Sequence, residues 1–156
     1  MASITTGDGR SKQKSVVPEV EGKKEVPDIR QQLDWYQDIR DLHIEVLMDN
    51  HDRHPHIPTE KYKKLRTSLI SEEVNETLKA IEEDDLVEIA DGIVDSIVVL
   101  LGTAVTYGID VRPIWDEVHK TNMAKKDGPV REDGKKLKPE GWVAPNIKKI
   151  LDEQSK

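Results

Sequence analysis

The chain has 156 residues, 35% of them hydrophobic and 35% charged, which suits one domain with a modest core. It contains no cysteine, so disulfide frameworks and thiolate zinc sites are excluded. Its net charge of −7 argues against general nucleic-acid binding, which needs a basic surface. The longest apolar run, Ile97–Leu101, is far shorter than the roughly 20 residues of a membrane span, and residues 1–28 contain no apolar signal segment. We therefore expect a cytoplasmic protein without a membrane anchor.

The N-terminal part of the chain predicts a disordered tail followed by one long helix. Residues 1–27 are rich in Ser, Thr, Gly, Lys and Glu without an apolar period, which is typical of disorder. Asp28 is a suitable N-cap for a first helix ending near Asn50, with His43 on its apolar face as a core or interface residue. The next stretch, residues 51–58, contains prolines and predicts a solvated loop. Its histidines are His51, His54 and His56.

The rest of the chain predicts an all-α, four-helix bundle-like fold. Further helices are expected over residues 59–83, 84–107, 110–123 and 147–151. Gly108 suits the position just beyond the end of the third helix, and Asp110 suits the N-cap of the fourth. The Lys-, Gly- and Pro-rich segment between the last two helices predicts a basic C-terminal flap. Because no strand pattern is visible, we assign residues 28–151 to one all-α domain.

The second helix carries carboxylates where its periodicity predicts core residues. Tyr62, Leu65 and Leu69 define an apolar stripe along this helix. Continued by steps of four and three residues, the stripe reaches Glu73 and Glu76. Both acids are therefore predicted to face the core.

The third helix repeats this pattern more strongly. Glu88, Asp91 and Asp95 lie within about 60° of one another around the helix axis. The isoleucines on the opposite side are Ile89, Ile93 and Ile97. A helix that is apolar almost all round is predicted to lie in the middle of a bundle, and its acids with it.

Burying these five acids together would cost several kcal/mol per ion without compensation. The groups could share protons, pair with Lys or Arg, or bind a divalent cation, and the nearby Lys79 lies off the stripe. All-oxygen ligation without Cys or His suits Mg²⁺, with Mn²⁺ as the alternative ion. For a single acidic pair, a solvated helix face is the better explanation, and a di-iron bundle needs Glu-x-x-His pairs that are missing here. Two acidic pairs on consecutive helices favour the metal site.

These positions also resemble a known family. The EExxE motif at Glu72–Glu76, followed by ExxD at Glu88–Asp91, resembles the signature of the all-α nucleoside triphosphate pyrophosphohydrolases. These are the MazG-type and phosphoribosyl-ATP pyrophosphohydrolase-like proteins. The likeness extends over about residues 65–147 and includes GIDVRPIWDEVHKTNMAKKDG and REDGKKLKPEGWVAPNI, which look like the second of these branches.

The resemblance implies Mg²⁺-dependent hydrolysis of the α–β phosphate bond, which releases a nucleoside monophosphate and pyrophosphate. The metal-ligand positions of the family are matched by Glu73, Glu76, Glu88 and Asp91. Glu72 matches a residue that ligates a further ion or orients the attacking water, so Glu72 and Glu73 are the expected catalytic residues. Asp95 lies on the same face, where it is either a ligand or a support for the ligands.

The basic C-terminal segment supplies candidates for substrate binding. The residues expected to contact the nucleotide are Asn122, Lys125, Lys126, Arg131 and Trp142. Lysine and arginine would bind triphosphate oxygens, Asn122 lies where the family places a nucleotide contact, and Trp142 could stack on a base. The alternative is a solvated Lys-rich loop with Trp142 packed on the bundle.

Two functions are compatible with these features. The first is a pyrophosphohydrolase of nucleoside triphosphates, for which dNTPs are the expected substrates. The second is a non-catalytic nucleotide- or metal-binding bundle that regulates a partner. In either case the resemblance implies a homodimer or homotetramer, with sites near the subunit interfaces.

Overall fold

The computed structural model describes residues 34–49 and 51–156, and these residues form an all-α fold. Its elements are α1 (Trp35–Asp41), continued by a π-helix over Leu42–Val46, then α2 (Glu60–Glu82), α3 (Leu86–Thr106), α4 (Arg112–Met123) and α5 (Ile147–Gln154). Across these ranges, extended pairing is confined to one isolated bridge between Val130 and Lys136. The prediction of a helical fold is confirmed. The predicted tail and the helix start at Asp28 lie outside the described residues.

α2 and α3 form an antiparallel hairpin, which is the most extensive helix–helix contact of the fold. Asp84 turns the chain between them in the left-handed conformation, with φ 56°. Asp85 then caps α3, because its carboxylate accepts hydrogen bonds from the backbone N–H groups of Val87 and Glu88 at 3.1 and 3.3 Å. The predicted start of the third helix is thus confirmed to within about two residues.

Gly108 ends α3 with φ 68°, as its position in the sequence predicted. A Cβ atom at this residue would lie 2.2 Å from the backbone oxygen of His54. The loop before α2 therefore packs directly against the end of α3, and only glycine fits this contact.

The buried core lies at one end of the hairpin, where α1 packs against the C-terminal half of α3. Its centre is formed by Tyr36, Ile39 and Val105. Partly buried neighbours are Leu42, Val98, Leu101, Ala104 and Val111. The first helix ends at Val46 rather than near Asn50, because the backbone widens into a π-turn and Met48 adopts a left-handed φ of 52°.

The last two helices start and end slightly differently from the prediction. α4 begins at Arg112, so Asp110 lies before the N-cap residue, although its carboxylate still accepts the Arg112 N–H at 3.0 Å. α5 is capped by Asn146 and continues beyond Leu151 to Gln154. The Gln154 side chain exchanges two hydrogen bonds with the Asp110 backbone, at 3.1 and 2.8 Å, which attaches α5 to the start of α4.

One side of the α2–α3 hairpin is apolar and exposed. Its residues are Val74, Leu78, Ile81, Leu86, Ile93 and Leu100, which we call the apolar face and which are between 37% and 77% exposed. The prediction that the third helix lies in the middle of a bundle is wrong for a single chain, because α1 and α2 cover only part of its surface. Among the described residues, α3 is the helix whose length and composition would allow it to cross a membrane. Core helices of soluble proteins meet the same criterion.

Candidate active site

α2 and α3 are in close contact where Thr77 faces Gly92. A Cβ atom added to Gly92 would lie 2.6 Å from Thr77 Oγ1 and 3.1 Å from Thr77 Cα, so no larger residue fits at this separation. The Thr77 hydroxyl donates to the Glu73 carbonyl oxygen at 2.8 Å and lies 3.2 Å from Ser96 Oγ. This contact fixes which sides of the two helices face each other.

The predicted metal and catalytic acids share one side of the hairpin. The angular position of each acid around its helix axis can be counted at about 100° per residue, starting from Thr77 on α2 and from Gly92 on α3. On both helices the acids are displaced from this contact in the same rotational sense. Because the helices are antiparallel, rotation in the same sense brings both sets to a common face. We call this the acidic face, and its residues are Glu72, Glu73, Glu76, Glu88, Asp91 and Asp95. The apolar face lies on the opposite side.

Glu73 lies at the centre of this negative charge. Burial raises the pKa of its carboxyl group, and four neighbouring acids of the acidic face raise that pKa further. Those neighbours are Asp95, Glu76, Glu72 and Asp91. None of the ion pairs formed among the described residues involves the acidic face. The acidic face therefore has uncompensated negative charge, which a cation would neutralise.

The acidic face is less buried than the periodicity predicted. Glu73 and Asp95 are half-buried, whereas Glu72, Glu76, Glu88 and Asp91 are exposed. The expectation that these acids lie in a core is wrong for the single chain, since α1 covers only the other end of the hairpin. The acids nevertheless converge on one face of the hairpin.

A second group of candidates forms at the end of α4. Lys125 Nζ donates to Asn122 Oδ1 at 2.7 Å and lies 5.5 Å from the centre of the Trp142 ring. Lys138 Nζ lies closer to the same ring, at 4.2 Å. The Trp142 Nε1–H donates to the Thr121 carbonyl oxygen at 2.8 Å, which fixes the tryptophan against α4. Packing on the bundle, the alternative considered for Trp142, is therefore observed, and base stacking by this residue stays a prediction.

The other two basic candidates are exposed in the segment after α4. Arg131 donates to Asp133 through Nε at 2.9 Å, and this carboxylate raises the pKa of Arg131. Lys126 is exposed. A groove of about 390 Å³ lies between α4 and this segment, lined in part by Lys120, Thr121 and Trp142. α4 packs mainly against α5 and has no extensive contact with the α2–α3 hairpin that carries the acidic face.

His43, Asp49 and His51 meet where the first helix ends. One ligand atom from each lies within 4.8 Å of the others, and among the described residues this is the group whose spacing could hold a metal ion. His51 Nε2 lies 2.7 Å from Asp49 Oδ2, and the Tyr62 hydroxyl donates to Asp49 Oδ1 at 2.9 Å. The prediction that His51 belongs to a solvated loop is wrong, because its side chain is 8% exposed. His54 and His56 are exposed as predicted.

Arg66 argues against a cation at this group. Its buried guanidinium lies 3.3 Å from His43 Nε2 and donates through Nε to Thr106 Oγ1 at 2.9 Å. Burial lowers the pKa of Arg66, and the negative charge of Asp49 opposes that shift. A divalent ion here would face the guanidinium and compete for its counter-charge. We therefore interpret these residues as a buried hydrogen-bond network that connects α1, α2 and α3.

Sequence reasoning missed Arg66, although a positional signal was present. Arg66 lies about three helical turns before Thr77, which places it on the side of α2 that faces α3. An arginine on that side must find partners inside the fold. His43, predicted as a core or interface residue, is one of them and is 2% exposed.

Comparison with known proteins identifies the family. The profile of the phosphoribosyl-ATP pyrophosphohydrolase family matches residues 40–122, just over half of the chain. This match includes the acidic face and Asn122 and ends before Lys125. No curated protein matches the chain. The match confirms the resemblance seen in the carboxylate motif, and the chain belongs to the phosphoribosyl-ATP pyrophosphohydrolase family, a family of nucleotide pyrophosphohydrolases.

Proposed function

We propose that this protein is a cytoplasmic, Mg²⁺-dependent pyrophosphohydrolase of nucleoside triphosphates, with dNTPs as its substrates. It would cleave the α–β phosphate bond and release a nucleoside monophosphate and pyrophosphate. The observation that carries the proposal is the acidic face, where six carboxylates converge without a cationic partner among the described residues.

The donor atoms of the acidic face fit a hard divalent cation. Carboxylate oxygens are the ligands that Mg²⁺ and Mn²⁺ prefer, and none of these acids forms an ion pair with another described residue. The residues that would hold the ion are Glu73, Glu76, Glu88 and Asp91. When bound, the ion would neutralise phosphate charge and acidify a coordinated water.

The chain's own residues would position the water and the triphosphate. Glu72, exposed at the edge of the acidic face, would orient the attacking water and accept its proton. The water oxygen then bonds to the α-phosphorus while the bond from that phosphorus to the bridging oxygen breaks, and pyrophosphate leaves. Lys125, Lys126 and Arg131 would bind phosphate oxygens, with Arg131 exchanging Asp133 for the substrate.

A second copy of the chain would complete the site. The basic group around Asn122 lies on elements that have no extensive contact with the α2–α3 hairpin, yet a triphosphate needs both metal ligands and cationic contacts. Independently of the site, the exposed apolar face on the opposite side of the hairpin offers a surface on which two chains could bury aliphatic side chains. We therefore propose that the active form is a homodimer or homotetramer.

The test is a panel of NTPs, dNTPs and phosphoribosyl-ATP incubated with Mg²⁺ or Mn²⁺, with the products separated by chromatography. We expect a nucleoside monophosphate and pyrophosphate in equal amounts, with the fastest turnover among the dNTPs. A diphosphate and free phosphate would instead show cleavage at the β–γ bond. Tight nucleotide binding without any product, in folded and metal-loaded protein, would favour the regulatory bundle.

A further inference from the structure

The residues through which α2 and α3 touch are neighbours of the acids. Thr77 follows Glu76, Gly92 follows Asp91, and Ser96 follows Asp95. A change in the separation of the helices at this contact is therefore transmitted to carboxylates only one residue away on each helix.

The separation is set by the absence of a side chain at Gly92. An added Cβ would lie 2.6 Å from Thr77 Oγ1, 3.1 Å from Thr77 Cα and 3.2 Å from Thr77 Cβ. Rotation of the threonine does not relieve the contact with its Cα atom. Its hydroxyl is also held, because it donates to the Glu73 carbonyl and lies 3.2 Å from Ser96 Oγ. Any larger residue at position 92 must move the two helices apart.

We infer that Gly92 is a positioning residue, which sets the separation of α2 and α3 beside the acids and thereby the distance between the carboxylates of the two helices that would bind the cation. This inference rests on the proposed function, since it concerns the same acidic face. Ligand distances in metal sites tolerate deviations of only about 0.2 Å, so a small separation of the helices removes one helix's ligands from the ion. The role of Gly92 is then to fix ligand geometry, which is distinct from stabilising the hairpin.

The test is the affinity for Mn²⁺, measured without nucleotide by the loss of the free-ion EPR signal. Gly92→Ala is expected to weaken binding by about tenfold or more, as changes around metal ligands commonly do. Helix content should be retained, because alanine favours the helix over glycine by about 1 kcal/mol. The metal concentration for half-maximal activity should rise in parallel.

Gly102→Ala is the matched control on the same helix. Its methyl group would lie 2.9 Å from His43 Nε2 and 3.0 Å from Arg66 Nη1, so it also disturbs packing. It lies about 15 Å along the helix from Gly92, however, and should lower the melting temperature without changing Mn²⁺ affinity. A general response to poor packing would weaken Mn²⁺ binding in both variants and would overturn the inference.

Two further variants test the contact itself. Thr77→Ala in the Gly92→Ala background removes the atom nearest to the added methyl and should recover part of the affinity. Ser96→Ala changes the same contact without adding volume, so a moderate loss of affinity is expected even if Gly92→Ala is too unstable to assay. Unchanged Mn²⁺ affinity in Gly92→Ala, with turnover intact, would overturn the inference and leave the proposed function. If Gly92→Ala weakens Mn²⁺ binding but the wild type turns over no nucleotide, the inference stands and the proposed function is overturned.

Discussion

Glu73 and His43 both lie in surroundings that disfavour their charged forms, for different reasons. Burial and neighbouring acids raise the pKa of Glu73, a combination that a bound cation would reverse. Burial and the nearby Arg66 guanidinium lower the pKa of His43, whose Nδ1 has no hydrogen-bond partner in the described part of the chain. The first environment suits a binding site, whereas the second suits a neutral residue inside the fold.

Replacing Glu73 and Glu76 with glutamine should abolish pyrophosphate release while the helix content stays the same. The substitution removes two negative charges without altering side-chain size, and each loss is expected to lower turnover by about a hundredfold or more. Glu82→Gln is the control, because Glu82 is an exposed acid of α2 outside the acidic face. Turnover that survives in the double variant would contradict the assignment of the acidic face.

The stability of the fold should fall between pH 7 and pH 5, partly through His43. Its pKa is lowered to about 4 in the folded protein, whereas an unfolded histidine titrates near 6.5. As the pH falls through this window, the unfolded chain gains a proton that the folded chain excludes, so stability decreases. The contribution at pH 5 is about 2 kcal/mol.

Urea unfolding at pH 7.5 and pH 5 would measure this effect. On acidification from pH 7.5 to pH 5, the free energy of unfolding of His43→Gln should fall by about 2 kcal/mol less than that of the wild type. His119→Gln, which alters an exposed histidine of α4, should behave like the wild type. Equal losses in wild type and His43→Gln would show that His43 does not titrate in this window.

At the level of elements, the ends of α3 are determined by local chemistry. Asp85 accepts the first free N–H groups, and Gly108 supplies the left-handed residue at the other end. The helix therefore begins at a side chain that can accept the free backbone N–H groups and ends at a residue that adopts positive φ without strain. This local match makes the ends of α3 predictable.

Gly108→Ala should destabilise the protein far more than Gly134→Ala. Both glycines have positive φ, 68° and 84°, so each alanine adds backbone strain of roughly 1–2 kcal/mol. Only the methyl at position 108 meets other atoms, including the His54 backbone oxygen at 2.2 Å, whereas position 134 faces open space. We expect a loss of more than about 3 kcal/mol for Gly108→Ala. Comparable melting temperatures for the two variants would contradict the contact between α3 and the loop.

The sequence was sufficient where local signals determine the structure. Helix periodicity and caps predicted α2 and α3 to within about two residues, and the same periodicity placed the acids on one face. It could not predict burial, which depends on the other elements that cover each face. The π-turn after α1 and the partners of Arg66 were missed for a related reason, because both follow from contacts between distant segments.

At the level of the whole molecule, the hairpin presents one acidic and one apolar face. The aliphatic residues of the apolar face remain exposed in the single chain. Surfaces of this kind in a small protein commonly mark protein–protein contacts. Self-association through the apolar face would bury these side chains and leave the acids accessible to ions.

Ile93→Lys and Leu100→Lys should each weaken self-association. A lysine in the centre of an apolar contact is expected to cost roughly 3 kcal/mol, or about two orders of magnitude in the dissociation constant. Sedimentation velocity over a range of concentrations would measure the shift towards monomer. Met48→Lys is the control, because Met48 is 82% exposed and lies outside the hairpin. Unchanged association in both hairpin variants would show that the chains meet through another surface.

The apolar face also has a consequence for the newly synthesised chain. If the chain self-associates as proposed, the aliphatic side chains of α3 are accessible, before a second copy binds, to the chaperones and proteases that recognise unassembled subunits. A subunit that must associate to be protected survives in proportion to how often it meets another copy. For the proposed assembly, we expect the cellular amount of folded protein to rise more steeply than its rate of synthesis, and to fall disproportionately when expression is low.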